Sequence, residues 1–222
     1  MSGKVIVVAQ QKGGAGKTTV AAHLSVALAQ KDLNVVALDI DPQGSLTAWN
    51  EARKNAGEGI AHISFRAISD YWRLTSEIKK LKAVFDVVVI DGPPHAENDA
   101  KIAVKMADLV IVPIQPSPTD LWATAKTIEL TNNENANTYL LLNRITRNTK
   151  LAKQFLRDLP RSRIRSTLGN RIGFPSSMAI GKTVTETHPG TVASLEVEEL
   201  TNEVIDILAA TEYLDEFHQE AQ

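Results

Sequence analysis

The residues with the clearest chemistry lie in one short stretch near the N-terminus. Lys12-Gly13-Gly14-Ala15-Gly16-Lys17-Thr18-Thr19 follows the apolar run Val5 to Ala9 and precedes Val20-Ala21-Ala22-His23-Leu24. That order is a buried strand, a tight loop and a helix. Glycines let successive backbone N–H groups turn inward around phosphate oxygens, and the start of the following helix adds partial positive charge. Lys17 adds a full charge, and the Thr18 hydroxyl can ligate Mg²⁺. The polyphosphate of a nucleotide is the expected ligand. The first glycine of the common G-x-x-x-x-G-K-[ST] pattern is replaced by Gln11, and a second lysine, Lys12, follows it.

Two further strand ends carry carboxylates. Val35-Val36-Ala37-Leu38-Asp39-Ile40-Asp41-Pro42-Gln43-Gly44-Ser45 ends an apolar run with two acids. Alternation predicts that Asp39 and Asp41 share one side near the γ-phosphate, where they can hold Mg²⁺ waters and orient an attacking water. Val87-Val88-Val89-Ile90-Asp91-Gly92-Pro93-Pro94 has the form of a Walker B strand. Asp91 is its outer-sphere Mg²⁺ partner, and the Gly-Pro-Pro loop is a γ-phosphate sensor.

K-G-G-x-G-K-T-T together with D-x-D-P-Q-G-S (Asp39 to Ser45) and D-G-P-P (Asp91 to Pro94) resembles the deviant Walker A ATPases of the ParA/MinD superfamily. The Pro-rich segment Val112 to Trp122 and Leu142-Asn143-Arg144 extend the likeness, which is nearest to small, ParF-like partition and cargo-positioning ATPases and runs from Lys4 to about Ala210. The resemblance implies ATP and Mg²⁺ as cofactors, with Gly13, Gly14, Ala15, Gly16, Lys17, Thr18 and Thr19 around the phosphates. It assigns Thr18, Asp39 and Asp91 to Mg²⁺, Asp41 to the lytic water, and Lys12 to the nucleotide of a partner subunit. Asn143 is similar to the adenine-contacting Asn, and Pro116 lies in the segment that resembles the lining of the base and the dimer interface. The implied activity is slow hydrolysis of ATP to ADP and phosphate by an ATP-induced homodimer, which binds DNA nonspecifically and is released by a ParB-like adaptor. The cargo is a plasmid, a chromosome origin or a protein assembly. Two alternatives stay open: a metabolic ligase of the dethiobiotin-synthetase or amidoligase type, and an ATP-sensing scaffold that does not hydrolyse.

These residues must be positioned by alternating strands and helices. Apolar, β-branched runs at 5–9, 35–38, 60–65, 87–90, 109–114 and 139–142 predict strands buried on both faces. Helical patterns are expected near 17–30, 45–56, 70–82, 97–106, 119–131, 149–159 and 194–214. The fold class is therefore α/β: a single P-loop NTPase domain over 1–222 with a mostly parallel twisted sheet between helices. Three residues before the first strand leave no N-terminal DNA-reading extension expected, and Trp49, Trp72 and Trp122 fall in helical patterns as packing residues.

The 222 residues contain no cysteine, which excludes iron–sulfur and thiolate zinc ligation by this chain. No run approaches the ~20 apolar residues of a membrane helix, so a cytoplasmic protein is expected; the resemblance implies nucleoid association, and the acidic stretch from Glu196 to Gln222 leaves no membrane partner expected. The net charge of −2 is unevenly spread. Arg144, Arg147, Lys150, Lys153, Arg157, Arg161, Arg163, Arg165 and Arg171 are set against the single acid Asp158, whereas residues 183–222 hold ten acids and no Lys or Arg. One basic face on an otherwise acidic molecule is expected. On a helix from Thr149, Lys150, Lys153 and Arg157 fall within an arc of roughly 80°, with Leu151, Phe155, Leu156 and Leu159 opposite. Lys150, Lys153, Arg157, Arg161, Arg163, Arg165 and Arg171 are the candidate DNA contacts. Phosphate contacts of this kind hold a protein on DNA without reading bases.

Overall fold

The computed structural model describes residues 3–94, 98–146, 154, 155, 157 and 162–220, the side chains of 212–220 excepted. Seven strands form one sheet: β1 (Lys4–Val8), β2 (Val35–Asp39), β3 (Ser64–Ala67), β4 (Val87–Asp91), β5 (Leu109–Ile114), β6 (Thr138–Ile145) and β7 (Arg163–Gly169). Their order is β3-β2-β4-β1-β5-β6-β7, and every pairing is parallel. Strand β1 is central, and the chain leaves it first on one side and later on the other. The reversal opens a crevice at the carboxyl ends of β1, β4 and β5, the place where open α/β sheets bind ligands.

Side-chain alternation along β1 divides the core into two faces. Ile6 and Val8 pack with Val20, Leu24 and Leu28 of α1 (Lys17–Ala29). Val5 and Val7 pack with Leu74 and Ile78 of α3 (Tyr71–Lys82) and with Ala103 and Val104 of α4 (Asn98–Lys105). Helix α2 (Ser45–Lys54) seats Leu46 and Trp49 against Ala22 and Val26 of α1. Helix α5 (Pro118–Asn133) begins with Ser117 as its cap, whose side chain accepts from the Asp120 N–H. After β7 come α6 (Gly173–Ala179), α7 (Val184–Thr187) and the long α8 (Val192–Glu220), whose Val197, Leu200 and Val204 join the α1 face. Among the described residues no helix is long and apolar enough to cross a membrane.

Several expectations are revised. The run at 60–65 is a strand only from Ser64 to Ala67, because two left-handed glycines, Gly57 and Gly59, turn the chain just before it. Strand β7 lies inside the segment expected to be a basic surface, and α6 and α7 have no counterpart among the expected helices. The last helix starts at Val192 and reaches Glu220. Of the tryptophans only Trp49 is core; Trp72 and Trp122 are 66% and 73% exposed. Gln154, Phe155 and Arg157 are helical, with Phe155 buried and Arg157 exposed, whereas Lys150, Lys153 and Arg161 lie outside the described residues.

The acidic segment is folded onto the basic one rather than held apart from it. β7 is an edge strand, and acids of α8 occupy its unpaired N–H groups. Glu203 accepts from the Arg165 and Ser166 N–H groups at 2.6 and 2.9 Å, and Glu196 accepts from the Gly169 N–H at 2.9 Å. Glu196 also takes the Arg171 guanidinium at 2.7 Å. An exposed edge that would template further pairing is thereby closed, and part of the positive charge expected on the surface is neutralised.

A buried ion pair ties α2 to α7. Arg53 and Glu186, 5% and 1% exposed, meet at 2.7 Å. Arg53 also donates to the carbonyls of Gly181 and Ala61, while Glu186 accepts from the N–H groups of Ala61 and Thr183. Burial alone would raise the Glu186 carboxyl, but the hydrogen bond and charge of Arg53 and the two backbone donors hold it below its ordinary 4.5. Its stabilisation is therefore present at neutral pH and lost as the pH falls below about 4.5. We expect Glu186→Gln to lower unfolding stability by about 3 kcal/mol at pH 7, with the difference from wild type shrinking in denaturation curves at pH 4.

Candidate functional site

The glycine-rich loop follows β1 and opens α1, as its spacing predicts. Gly14 and Gly16 have φ of +78° and +94°, a left-handed backbone open to glycine. The loop is braced from three sides. Asn143, at the end of β6, donates to the Ala15 carbonyl at 2.8 Å, and Gln115, after β5, donates to the Gly14 carbonyl at 2.9 Å. The Gln11 N–H donates to the Thr127 hydroxyl of α5 at 3.2 Å. Gln10, which no sequence motif marks, is buried and joins Thr124, Thr127 and the Pro113 carbonyl, so the loop's first residues are fastened to α5. No acid stands in the first turn of α1, leaving the positive end of its dipole unopposed.

Above the loop lies a cavity of about 1030 Å³. Gly13, Gly14, Gly16, Lys17, Thr18 and Thr19 line one part of it together with Asp41, Gln43 and Ser45. Lys17 is only 7% exposed. Burial pulls its pKa below the ordinary 10.5, against the attraction of Asp91 and Asp41, so a buried ammonium faces a space that an anion can fill. Ala15 is fully buried beneath the loop.

The three carboxylates take different parts. Asp91 is wholly buried; its Oδ2 accepts from the Thr18 hydroxyl at 2.7 Å and its Oδ1 has no partner among the described residues. Burial raises it to about 7, with the neighbouring charge of Asp39 adding to the rise and Thr18 and Lys17 opposing it. Asp39 does not line the cavity. Its Oδ2 accepts from both the N–H and the hydroxyl of Thr47 at 2.7 Å, and its Oδ1 accepts from the Asp41 N–H at 3.1 Å. The strand ends at Asp39, so the expected shared side of Asp39 and Asp41 is corrected. Asp39 turns to the start of α2 and Asp41 to the cavity. Asp41 is half-buried, with Oδ1 taken by the Gln43 N–H at 2.9 Å.

The residues present suit a divalent cation beside a phosphate. A hydroxyl bonded to a buried carboxylate with an orphaned second oxygen makes Thr18 and Asp91 the residues that could hold one, whereas the oxygens of Asp39 are engaged at the start of α2. A cation held there supplies charge neutralisation of the phosphates.

On the base side, Asn143 lines the cavity. Asn143 spends one N–H on Ala15, and its Oδ1 accepts from the Arg144 N–H at 2.9 Å; a Cβ on Gly16 would collide with its amide. It is a strut of the phosphate loop as well as part of the cavity lining. Gln115 lines the cavity and Pro116 does not. Pro94, Arg144, Gly169, Asn170, Arg171, Ile172, Phe174, Pro175 and Met178 complete the lining, and of these only Pro94 and the two arginines stand out in the sequence. Arg144 stands on β6, whereas Gly169 to Met178 come from the end of β7, the strand that sequence periodicity does not reveal, and from α6 after it. Lys12 is bonded at 2.5 Å to Asp120, whose side chain is 2% exposed.

The profile of the CobQ/CobB/MinD/ParA nucleotide binding domain matches residues 6–184, from inside β1 to the start of α7. The chain belongs to this family. Protein ParA of Rhizobium radiobacter is 38% identical over 128 residues, covering 57% of this chain and 55% of that one. The maintenance of carboxysome distribution protein A of Halothiobacillus neapolitanus is 32% identical over 126 residues, 56% of either chain. The chain thus spans about half the length of these relatives. The cell division ATPase MinD of Pyrococcus furiosus superposes with a TM-score of 0.76 at 22% identity, over 92% of this chain and 99% of that one. The ATP complex of a substituted McdA from Cyanothece gives 0.76 at 19%, over 94% and 97%. These likenesses show the fold, a P-loop NTPase-like parallel sheet between helices.

Lys17→Ala is expected to abolish nucleotide binding in calorimetry while leaving the melting midpoint near wild type. Asp91→Asn acts in the opposite sense on the free protein. The raised carboxyl burdens the fold increasingly from about 3.8 upward and in full above about 7. Its amide variant should therefore melt about 2–4 °C higher at pH 8, the shift for roughly 1 kcal/mol in a domain of this size, with no gain at pH 3.5.

Proposed function

We propose that the chain is an ATP- and Mg²⁺-dependent switch, which pairs with a second copy when ATP is bound, holds nonspecific DNA, and positions cargo through a ParB-like adaptor that accelerates hydrolysis. The observation that carries the reading is the cavity that gathers Lys17, Thr18 and Asp41, with Asp91 bonded behind Thr18. Phosphoryl transfer to water asks for little covalent chemistry from a protein, only positioning and charge. Lys17 meets the β- and γ-phosphates, the loop amides take the remaining oxygens, and Thr18 with Asp91 forms the cation-binding pair. Asp41 orients the attacking water: its Oδ1 is fixed by Gln43, and among the described residues no hydrogen bond engages its other oxygen.

Lys12 acts on the nucleotide of the partner subunit. It is 35% exposed in this monomer, and reaching across means leaving Asp120, which then keeps the Ser117 hydroxyl at 2.5 Å. ATP-driven pairing is supported by this need: the lysine gains a phosphate when the second subunit arrives.

DNA is held by the basic segment. Arg157 and Arg165 are exposed and Arg163 half-buried, and Lys150, Lys153 and Arg161 continue the same stretch of sequence. Arg171, engaged by Glu196 and part of the cavity lining, is left out of the contact set. About three phosphates per protomer give Z near 6 for a dimer, so log K should fall against log salt with a slope of about −5.

Asp41→Ala is expected to bind ATP and sediment as a dimer while releasing phosphate at less than about a hundredth of the wild-type rate. Lys12→Ala should remain monomeric with ATP at concentrations where wild type pairs. A wild-type hydrolysis rate in the first, or normal pairing in the second, removes the role assigned. Replacing Lys150, Lys153 and Arg157 with Ala should flatten the salt slope and release DNA without changing ATP-induced pairing. Unaltered DNA affinity across the salt titration would move the surface elsewhere.

A further inference from the structure

The cavity has a cationic residue that the phosphate chemistry does not use. Arg144 follows the Asn143 strut, lines the cavity and is exposed, and among the described residues no carboxylate pairs with it. Its backbone sits at φ +52°, uncommon for a residue with a side chain. The ladder between β6 and β7 shifts register across it, between Leu142 and Ile145. The Asn143 carboxamide stabilises this bend by accepting the Arg144 N–H. Local geometry is thus spent on placing one guanidinium at the cavity.

The surrounding lining identifies what that group meets. Asn143 is already occupied by the phosphate loop and by Arg144's own backbone. Arg171, the other guanidinium of the lining, is held by Glu196 through two bonds of 2.9 and 2.7 Å. What β7 and α6 otherwise contribute to this part of the cavity includes Ile172, Phe174, Pro175 and Met178. An unpaired planar cation on a cavity that apolar side chains also line suits a flat, electron-rich ligand face. Phosphates are served elsewhere, by Lys17 and the loop amides.

We propose that Arg144 is the base-stacking residue of the nucleotide site, its guanidinium plane lying on the face of the bound base. The inference rests on the nucleotide-site reading above and goes beyond it by naming what holds the base. Stacking of this kind is tolerant of base identity, because every base offers a π-face. It requires the planar guanidinium rather than charge alone, so lysine is no substitute.

The test compares ATP with inorganic tripolyphosphate, which has phosphates and no base, each titrated with Mg²⁺ into the full chain. Arg144→Gly suits the purpose because glycine favours the positive φ; it should melt at or above the wild-type midpoint, so lost binding is not lost folding. Expected are about ten-fold weaker ATP binding in both Arg144→Gly and Arg144→Lys, with tripolyphosphate affinity unchanged in both. Equal weakening of ATP and tripolyphosphate, restoration of ATP affinity by Arg144→Lys, or undiminished ATP affinity in Arg144→Gly would each overturn the proposal. Wild type that binds neither probe refutes the nucleotide-site reading itself and takes this inference with it.

Discussion

Two carboxylates stand side by side at the ends of adjacent buried strands. Asp39 of β2 and Asp91 of β4 are direct partners in register, with 2% and 0% exposure. Like charges so placed repel in a medium that screens poorly, and the chain meets the cost in two ways. Asp39 is saturated with donors from Asp41 and Thr47, which makes it the anchor of α2. Among the described residues, Asp91 receives only the Thr18 hydroxyl and retains an unpartnered oxygen. The residual tension faces the phosphate loop, where Mg²⁺ with a nucleotide would relieve it. Lys17, itself buried at a cost, is the complementary half of the same arrangement.

The remaining architecture keeps this arrangement rigid. Helix α2 starts at the Asp39 bonds and carries in its last turn Arg53, whose buried pair with Glu186 joins it to α7. Trp49 of α2 donates to the Lys182 carbonyl at 3.3 Å, and Met178 packs against the cluster around it. One helix therefore connects the neighbourhood of Asp41 with α6, whose Phe174, Pro175 and Met178 line the cavity. Along the far edge of the sheet, Glu196 and Glu203 fasten α8 to β7 and hold the Gly169–Ile172 turn in place. A net charge of −2 conceals this internal matching of opposite charges.

Sequence makes the phosphate end legible because its requirements are local. Glycines, a lysine and a hydroxyl at fixed spacing between a strand and a helix have few other uses, and continuous apolar runs such as Val87 to Ile90 report buried strands directly. The base end depends on contacts distant in sequence. Arg163-Ile164-Arg165-Ser166-Thr167-Leu168-Gly169 looks like a charged surface until Glu203 and Glu196, more than twenty residues on, are seen to cap its edge. Nothing in the neighbours of Asn143 shows that its amide also braces the Ala15 carbonyl. The alternation that puts Asp39 and Asp41 together holds only while the strand continues, and it stops at Asp39. Trp72 and Trp122 fit helical patterns but lie on outward faces, a distinction set by how α3 and α5 rotate against the sheet.

The crowded strand ends are built for Mg²⁺ together with a nucleotide, not for either alone. The most direct test is the melting midpoint of the wild-type chain at pH 7.5 with equal concentrations of ATP, once with excess Mg²⁺ and once with a chelator. Linkage requires stabilisation in proportion to the logarithm of occupancy. Mg²⁺ with ATP should raise the midpoint by several degrees more than chelated ATP or Mg²⁺ by itself. An identical shift with and without the cation, or no shift under any condition, would contradict this reading of the strand ends.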